Sequence, residues 1–437
     1  MTGRLARREW IPAVSQELLD MVGAEVTTAE PEWIADRLDD LVADNARIHD
    51  RDCVNLNPAG NTMNPRAAAV LASGIGPRTS LGYPGAKYEM GLEAIEQIEM
   101  VTAQLAARLF DAPFVEFRVP SGASANLMAF MATTRPGEAI IVPPASIGGH
   151  VTHHTPGAAG LYGLRIHEAP IDPDRYSVDV EALARLAATV RPTLITLGAS
   201  LNLRHHDVAA VRSVADDVGA RVLFDAAHLS GLIAGDAWPD PLAAGAHLMT
   251  MSTYKSLAGP TAGLVLTDDA GLARRIEEIA FPGLTANFDA AKTAALAYTL
   301  NDWLACGTTF AREMVAAADA LATALDRADV PVHRAGGVAT ESHALALDAE
   351  DHGGGMAAAR RLRRANLLAS AIGLPTGADR GVRIGTSELV RWGATADDMG
   401  ELASLISRAL HGDPTEVAPT VTDFRRRFTT VHHHLAG

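Results

Sequence analysis

The sequence predicts an α/β protein: a mostly parallel sheet covered by helices, followed by a smaller α+β portion. Three observations predict it. Short apolar runs recur between residues 139 and 267, helical stretches separate several of them, and from about residue 305 long helices replace the strands. Strand–helix–strand alternation favours a parallel sheet buried on both faces, with ligands bound beyond the carboxyl ends of its strands.

Taken in order, the first 50 residues read as a helical arm. Trp33, Ile34, Leu38, Leu41 and Val42 recur at helical spacing, with acidic residues on the opposite face. The spacing predicts a helix over 94–110, with Ile95, Ile98, Val101 (or Thr102), Leu105 and Leu109 on one stripe. The runs AIIVPP (139–144), TLITLGAS (193–200), RVLFDAAH (221–228), HLMTMST (247–253) and AGLVLT (262–267) are the expected strands. Further on, FAREMVAAADALATALDRA (310–328) and MAAARRLRRANLLASAIG (356–373) read as helical, and HALALDAE (343–350) as a strand. The domain reading is an arm over 1–50, a large domain over 51–305 and a small one over 306–437.

The bulk numbers exclude some functions. With 37 basic and 52 acidic residues, the chain carries a net charge of −15, which disfavours nucleic acid and anionic membrane surfaces as partners. No apolar run approaches a membrane span, and the N-terminus lacks the apolar core of a secretory signal. Two cysteines, Cys53 and Cys306, are too few for a disulfide framework, so a cytoplasmic location is expected. The paired histidines lack carboxylate or cysteine spacing for a metal, and none is expected.

The chemistry gathers at predicted strand ends. Asp225 and His228 close one strand, and Lys255 follows the next, flanked by Ser252 and Tyr254. A lysine with a lowered pKa can form a Schiff base, and a carboxylate nearby can hold a pyridinium nitrogen. Spacing alone also fits Asp225 as a helix cap and Lys255 as a surface lysine. PSGASANLMAF (120–130) places Ser121, Gly122 and Ser124 at a helix start, which suits either an anion site or simple capping.

Together, LFDAAHLSGLIAG and TMSTYKSLAGPTAGLVL resemble the cofactor region of serine hydroxymethyltransferase. GYPGAKY, SGASAN, GGHVTHH, GAS (198–200), SHALALD and GVRIGT extend the resemblance, in order, over roughly residues 60–390. It implies pyridoxal 5′-phosphate (PLP) and fold type I, the aspartate aminotransferase-like fold. It also implies a homodimer with shared active sites, each completed by the partner chain. In this reading Lys255 carries the Schiff base, Asp225 pairs with the ring nitrogen, His150 stacks on the ring and His228 lies near its O3′. Ser121, Gly122, Ser124 and Tyr254 serve the phosphate side, Ser200 the ring edge, and Ser252 is a further cofactor-binding residue. Arg383 holds the substrate carboxylate, with Tyr83 and Tyr88 on the substrate side.

The departures bear on the reaction. Leu81 stands where the family has a proton-transferring glutamate, and Glu89 where it has a tyrosine. Ala59 and Gly60 replace a Ser-Glu pair, and LTANFD (284–289) replaces a glycine-rich loop. Leucine transfers no proton. These losses touch folate handling more than PLP handling. The expectation is therefore a folate-independent aldolase or transaldolase acting on the Cα–Cβ bond of a β-hydroxy-α-amino acid, with an amino acid and an aldehyde as its small-molecule partners. His228, His150, Glu89 and a bound water are the candidate bases. The alternatives are folate-dependent hydroxymethyl transfer from serine or α-methylserine, another PLP reaction at Cα, or a non-catalytic partner protein.

Overall fold

The computed structural model describes residues 5–436. It divides into two units, the first ending at Cys53 and the second running from Val54. The first unit holds helices α1 (Ala13–Thr28) and α2 (Pro31–Ala46). Pro31 opens α2, where its fixed φ suits a first turn and its missing N–H costs nothing. Trp33, Leu38 and Val42 on α2 are exposed.

The second unit is built on a seven-stranded sheet: β1 (Phe114–Val119), β2 (Ala139–Val142), β3 (Arg165–Glu168), β4 (Leu194–Leu197), β5 (Arg221–Asp225), β6 (Leu248–Ser252) and β7 (Gly263–Thr267). The spatial order is β1-β7-β6-β5-β4-β2-β3. Only β7 runs antiparallel to its neighbours in this sheet. The inner strands β2, β4 and β6 are buried at every position, which is why they read as unbroken apolar runs. β1 and β3 lie outside the expected runs. β3 is a partly exposed edge, and β1 carries Glu116 and Arg118, whose buried side chains pair at 2.7 Å.

Three helices position the site. In α3 (Glu93–Leu109) the buried face is Ile95, Glu99, Thr102 and Ala106, one step round from the predicted stripe. The physical reason is an ion pair: Glu99 turns inward to meet Lys87 at 2.8 Å, with both side chains buried, and Val101 is left 51% exposed. α4 (Gly122–Thr133) packs on the sheet behind the cavity described below. α5 (Ala290–Arg327) is one helix of 38 residues, so the expected domain boundary at 305–306 falls inside it. In the structure Gly307 is where a Cβ would lie 2.6 Å from the Trp303 ring, so its smallness serves packing. Beyond α5, a three-stranded antiparallel sheet is formed by β8 (Ala344–Asp348), β9 (Ser370–Leu374) and β10 (Gly377–Gly385), in the order β8-β10-β9. Among the described residues, no helix is long and apolar enough to cross a membrane.

Candidate active site

The carboxyl ends of β1, β2, β4, β5 and β6 lead to one cavity of about 120 Å³. β1 delivers Ser121 and Gly122. The segment after β2 delivers His150, β4 delivers Ser200, β5 ends on Asp225 and leads to His228, and β6 ends on Ser252 and leads to Tyr254 and Lys255. The turn after β4 requires glycine. Gly198 has φ of +85°, and a Cβ there would lie 2.1 Å from the Asp225 carbonyl oxygen.

The α4 N-terminus forms one wall. The Ser121 hydroxyl accepts from the Ser124 amide at 3.1 Å and lies 3.0 Å from the Ser124 hydroxyl. The Ala125 amide bonds the Ser121 carbonyl, so the Gly122 and Ala123 amides of the first turn are left for an anion. At Gly122 a Cβ would meet Ser252 Oγ at 2.2 Å, so the wall closes only around glycine.

Asp225 forms the floor. Burial pushes its carboxyl up, but hydrogen bonds from His153 Nε2 (3.0 Å) and Asn126 Nδ2 (2.8 Å), with Lys255 nearby, outweigh burial and hold it below the ordinary range. An ionised carboxylate there suits a cationic ring nitrogen. Lys255 Nζ lies 3.2 Å from His228 Nε2, and burial and the Arg383 charge lower its amine to about 8 against the pull of Asp225. His228 is buried. Burial and the charges of Lys255 and Arg383 push it well below its usual value, and its Nδ1 has no partner. Burial likewise lowers His150 to about 4.

Arg383 reaches the same point from β10. Its Nη1 donates to the Ser200 carbonyl at 2.6 Å and lies 3.4 Å from His228 Nε2. Its Nε and Nη2 donate to Ser370 Oγ at 3.2 and 3.0 Å. Burial pushes this guanidinium down to about 10, and no carboxylate opposes the shift. A buried cation without a carboxylate partner is costly, and an anionic group placed there would offset that cost.

The Lys255 loop is tightly pinned. Thr253 Oγ1 donates to the Pro260 carbonyl and accepts from the Ala262 amide, and the Gly259 amide bonds the Thr253 carbonyl at 2.7 Å. Trp303 of α5 donates to the Leu257 carbonyl at 2.7 Å, and Ser256 Oγ donates to the His228 carbonyl at 2.8 Å.

The hairpin Gly82–Lys87 and its flank lie elsewhere. Tyr83, Tyr88 and Glu89 do not line this cavity, and Tyr83 and Tyr88 are exposed. Glu89 Oε2 accepts from the Leu81 amide at 3.0 Å. Sequence reasoning missed Asn126, His153 and Ser370. Asn126 sits one helical turn after Gly122, a spacing that puts both on one face of α4. His153 lies three residues after His150. Ser370 pairs with Arg383 across the small sheet, which no local signal announces.

These residues fit PLP on the structure's own evidence: a glycine-lined helix start for a phosphate, an ionised aspartate on the floor, and a buried lysine with a lowered pKa. Among the described residues, no cluster of His, Cys, Asp or Glu suits a metal.

Comparison with known proteins agrees with this geometry. Residues 35–406 match the family model for serine hydroxymethyltransferase. An alpha-methylserine aldolase of Variovorax paradoxus is 55% identical over 99% of both chains, and one of a Ralstonia species is 50% identical over 98% of this chain and 99% of that one. A serine hydroxymethyltransferase of Methanopyrus kandleri is 36% identical over 88% of this chain and 91% of its own. The crystal structure of an L-threonine transaldolase from Pseudomonas fluorescens shares the fold with a TM-score of 0.85 at 21% identity, covering 92% and 94% of the two chains. The chain therefore belongs to the serine hydroxymethyltransferase family, and its cofactor is pyridoxal 5′-phosphate.

Proposed function

We propose that this enzyme breaks and forms the Cα–Cβ bond of an α-methyl-β-hydroxy-α-amino acid, α-methylserine, without folate. One observation carries the reading. The Lys255 amine and the Arg383 guanidinium, which has no carboxylate partner, converge on His228 Nε2 at 3.2 and 3.4 Å. An attachment point for the cofactor and a fork for an α-carboxylate thus stand side by side. The relatives named alpha-methylserine aldolase, 50–56% identical over nearly the whole chain, support the substrate. Leu81 supports folate independence, because no side-chain proton is available at that position.

When bound, the cofactor's pyridinium ring supplies the electron sink for the pair released from the breaking bond. The protein does the rest. Lys255 holds the cofactor at its carbonyl end. Asp225, kept ionised, holds the proton on the ring nitrogen. Ser121, Gly122, Ser124, Ser252 and Tyr254 would hold the phosphate at the α4 N-terminus, and Ser200 would serve the ring edge. His150, on the cavity wall, would face the ring, and His228 orients the Lys255 amine. Arg383 clamps the substrate carboxylate bidentately and so sets which bond at Cα is labile. Cleavage balances as α-methylserine giving alanine and formaldehyde, the hydroxyl proton leaving Cβ–OH and a proton returning to Cα.

Within the same proposal the enzyme is a homodimer. An apolar groove of about 640 Å³ lies open between α3 and α5, lined by Ile98, Val101, Leu105, Ala294, Ala297 and Tyr298. This is the very stripe of α3 that the ion pair turned outward. Tyr83, Tyr88 and Glu89 then serve the partner's cavity, with Glu89 as acid–base across the boundary. Light scattering of the purified protein tests the dimer, and a monomer at micromolar concentration would remove it. The function is tested by formaldehyde release from α-methylserine with and without tetrahydrofolate. Equal rates are expected, and a strict folate requirement sinks the aldolase reading.

A further inference from the structure

We infer that Asn126 and Thr152 are positioning residues that fix His150 as its Nε2–H tautomer, through a one-way hydrogen-bond chain running Thr250 to Asn126 to Thr152 to His150. His150 then offers the cavity a donor rather than a base. The inference rests on the reading above only in taking this cavity as the active site.

Each link has one possible direction. Asn126 Nδ2 lies 2.8 Å from Asp225 Oδ2, which as a carboxylate only accepts. The amide nitrogen therefore faces Asp225, and the amide oxygen faces Thr250, whose hydroxyl donates to it at 2.7 Å. Flipping the amide would set a carbonyl oxygen against the carboxylate and a nitrogen donor in place of the acceptor at Thr250. The sheet register supports this arrangement, because Asp225 and Thr250 are directly paired across β5 and β6. The second Nδ2 hydrogen has Thr152 Oγ1 at 3.0 Å. His153 Nε2 is also within 3.2 Å, but that nitrogen carries its own hydrogen toward Asp225 at 3.0 Å and cannot accept.

Thr152 has one hydroxyl proton. Its oxygen already accepts from Asn126, so the proton goes to the remaining neighbour, His150 Nδ1, at 2.8 Å. The Thr152 backbone amide points at the same nitrogen at 3.3 Å. Two donors converge on Nδ1, so Nδ1 carries no proton. Burial keeps the ring neutral: it lowers His150 to about 4, helped by Lys255, His153 and Arg383 and opposed by Asp225. The ring's single proton is therefore on Nε2.

This geometry removes His150 from the candidate bases. It also couples the two sides of the cavity, because the amide that donates to Asp225 is the one that spends its second hydrogen on Thr152. A change of charge at Asp225 reaches His150 through three hydrogen bonds as well as through space.

The test is nitrogen NMR on the full chain, ¹⁵N-labelled at histidine, loaded with pyridoxal phosphate and free of substrate. His150 signals are assigned by their loss in His150→Asn. The expected spectrum has a pyridine-like Nδ1 and a protonated, pyrrole-like Nε2, unchanged from pH 6 to 9. Thr152→Val should move the two nitrogens toward a common averaged shift, and Thr152→Ser should restore the wild-type pattern. A protonated Nδ1 in the wild type overturns the inference, as does an unchanged pattern in Thr152→Val. The wild-type spectrum decides even if the valine variant does not fold. None of these readings depends on turnover, so their failure is distinct from a failure to release formaldehyde.

Discussion

Replacing Arg383 separates binding from folding. In the folded protein its guanidinium is pushed down to about 10 from 12.5, almost wholly by burial. At about 1.4 kcal/mol per pH unit, keeping it charged costs the fold about 3 kcal/mol. Arg383→Met relieves that cost. It also removes the hydrogen bonds to the Ser200 carbonyl and the Ser370 hydroxyl, which at roughly 1.5–3 kcal/mol per acceptor contribute roughly 3–6 kcal/mol. The net loss is about 0–3 kcal/mol, and at about 1 °C per kcal/mol for a chain of this length the melting temperature should fall by no more than about 3 °C. Catalysis should not be spared. A substrate carboxylate left buried without its cation costs about 3–5 kcal/mol, so kcat/KM for α-methylserine should fall about 10²–10⁴-fold. Arg383→Lys keeps the charge but not the fork. Losing one charge-assisted hydrogen bond costs about 1.5–3 kcal/mol, which predicts a rise in KM of about 10–150-fold with the cofactor's visible absorbance retained. The assays are formaldehyde release and thermal melting on the same preparations. A KM within twofold of wild type in Arg383→Lys would refute the assignment. A fall of more than 10 °C in the melting temperature of Arg383→Met would show that the residue is structural.

Three further outcomes follow from the site. In cofactor-free protein the Lys255 amine, lowered to about 8, is protonated below that pH and a free base above it. The rate of PLP uptake should therefore rise from pH 7 and level off near 9, and a rate still climbing beyond pH 10 would contradict the burial argument. Gly198→Ala forces a Cβ to within 2.1 Å of the Asp225 carbonyl at a φ of +85°. At roughly 3 kcal/mol or more, it should lower the melting temperature by at least about 3 °C and weaken cofactor retention, and a neutral variant would show that the turn can relax. Glu89→Gln keeps an oxygen on the Leu81 amide. A loss in kcat of about 10²-fold or more without a change in melting supports the acid–base role across the subunit boundary, and an unchanged kcat removes it.

The strand-end residues could be read in the sequence because a parallel sheet delivers its loops directly from apolar runs. Asp225, His228 and Lys255 each lie within a few residues of a strand that is legible by itself. What could not be read depends on distant partners. Asn126 meets Thr250 across 124 residues, and His153 meets Asp225 across 72. The polar lattice behind the cofactor is thus a property of the assembled sheet. The α3 stripe was misjudged for a similar reason. Hydrophobic spacing predicts which face is apolar, and a single buried Lys87–Glu99 pair decided that a different face turns inward. The length of α5 is cut short in the sequence because the change from strands to long helices near residue 305 reads as a domain boundary, whereas one helix runs through it from Ala290 to Arg327.

The one antiparallel strand of the large sheet has a consequence for motion. Because β7 returns alongside β6, Lys255 sits in a short hairpin connection and not at the head of a long crossover. That connection is tied at Thr253, at His228 and to Trp303 of the long helix. The backbone that carries the Lys255 amine is therefore held from three sides, and the flexible part of the assembly is the lysine side chain itself.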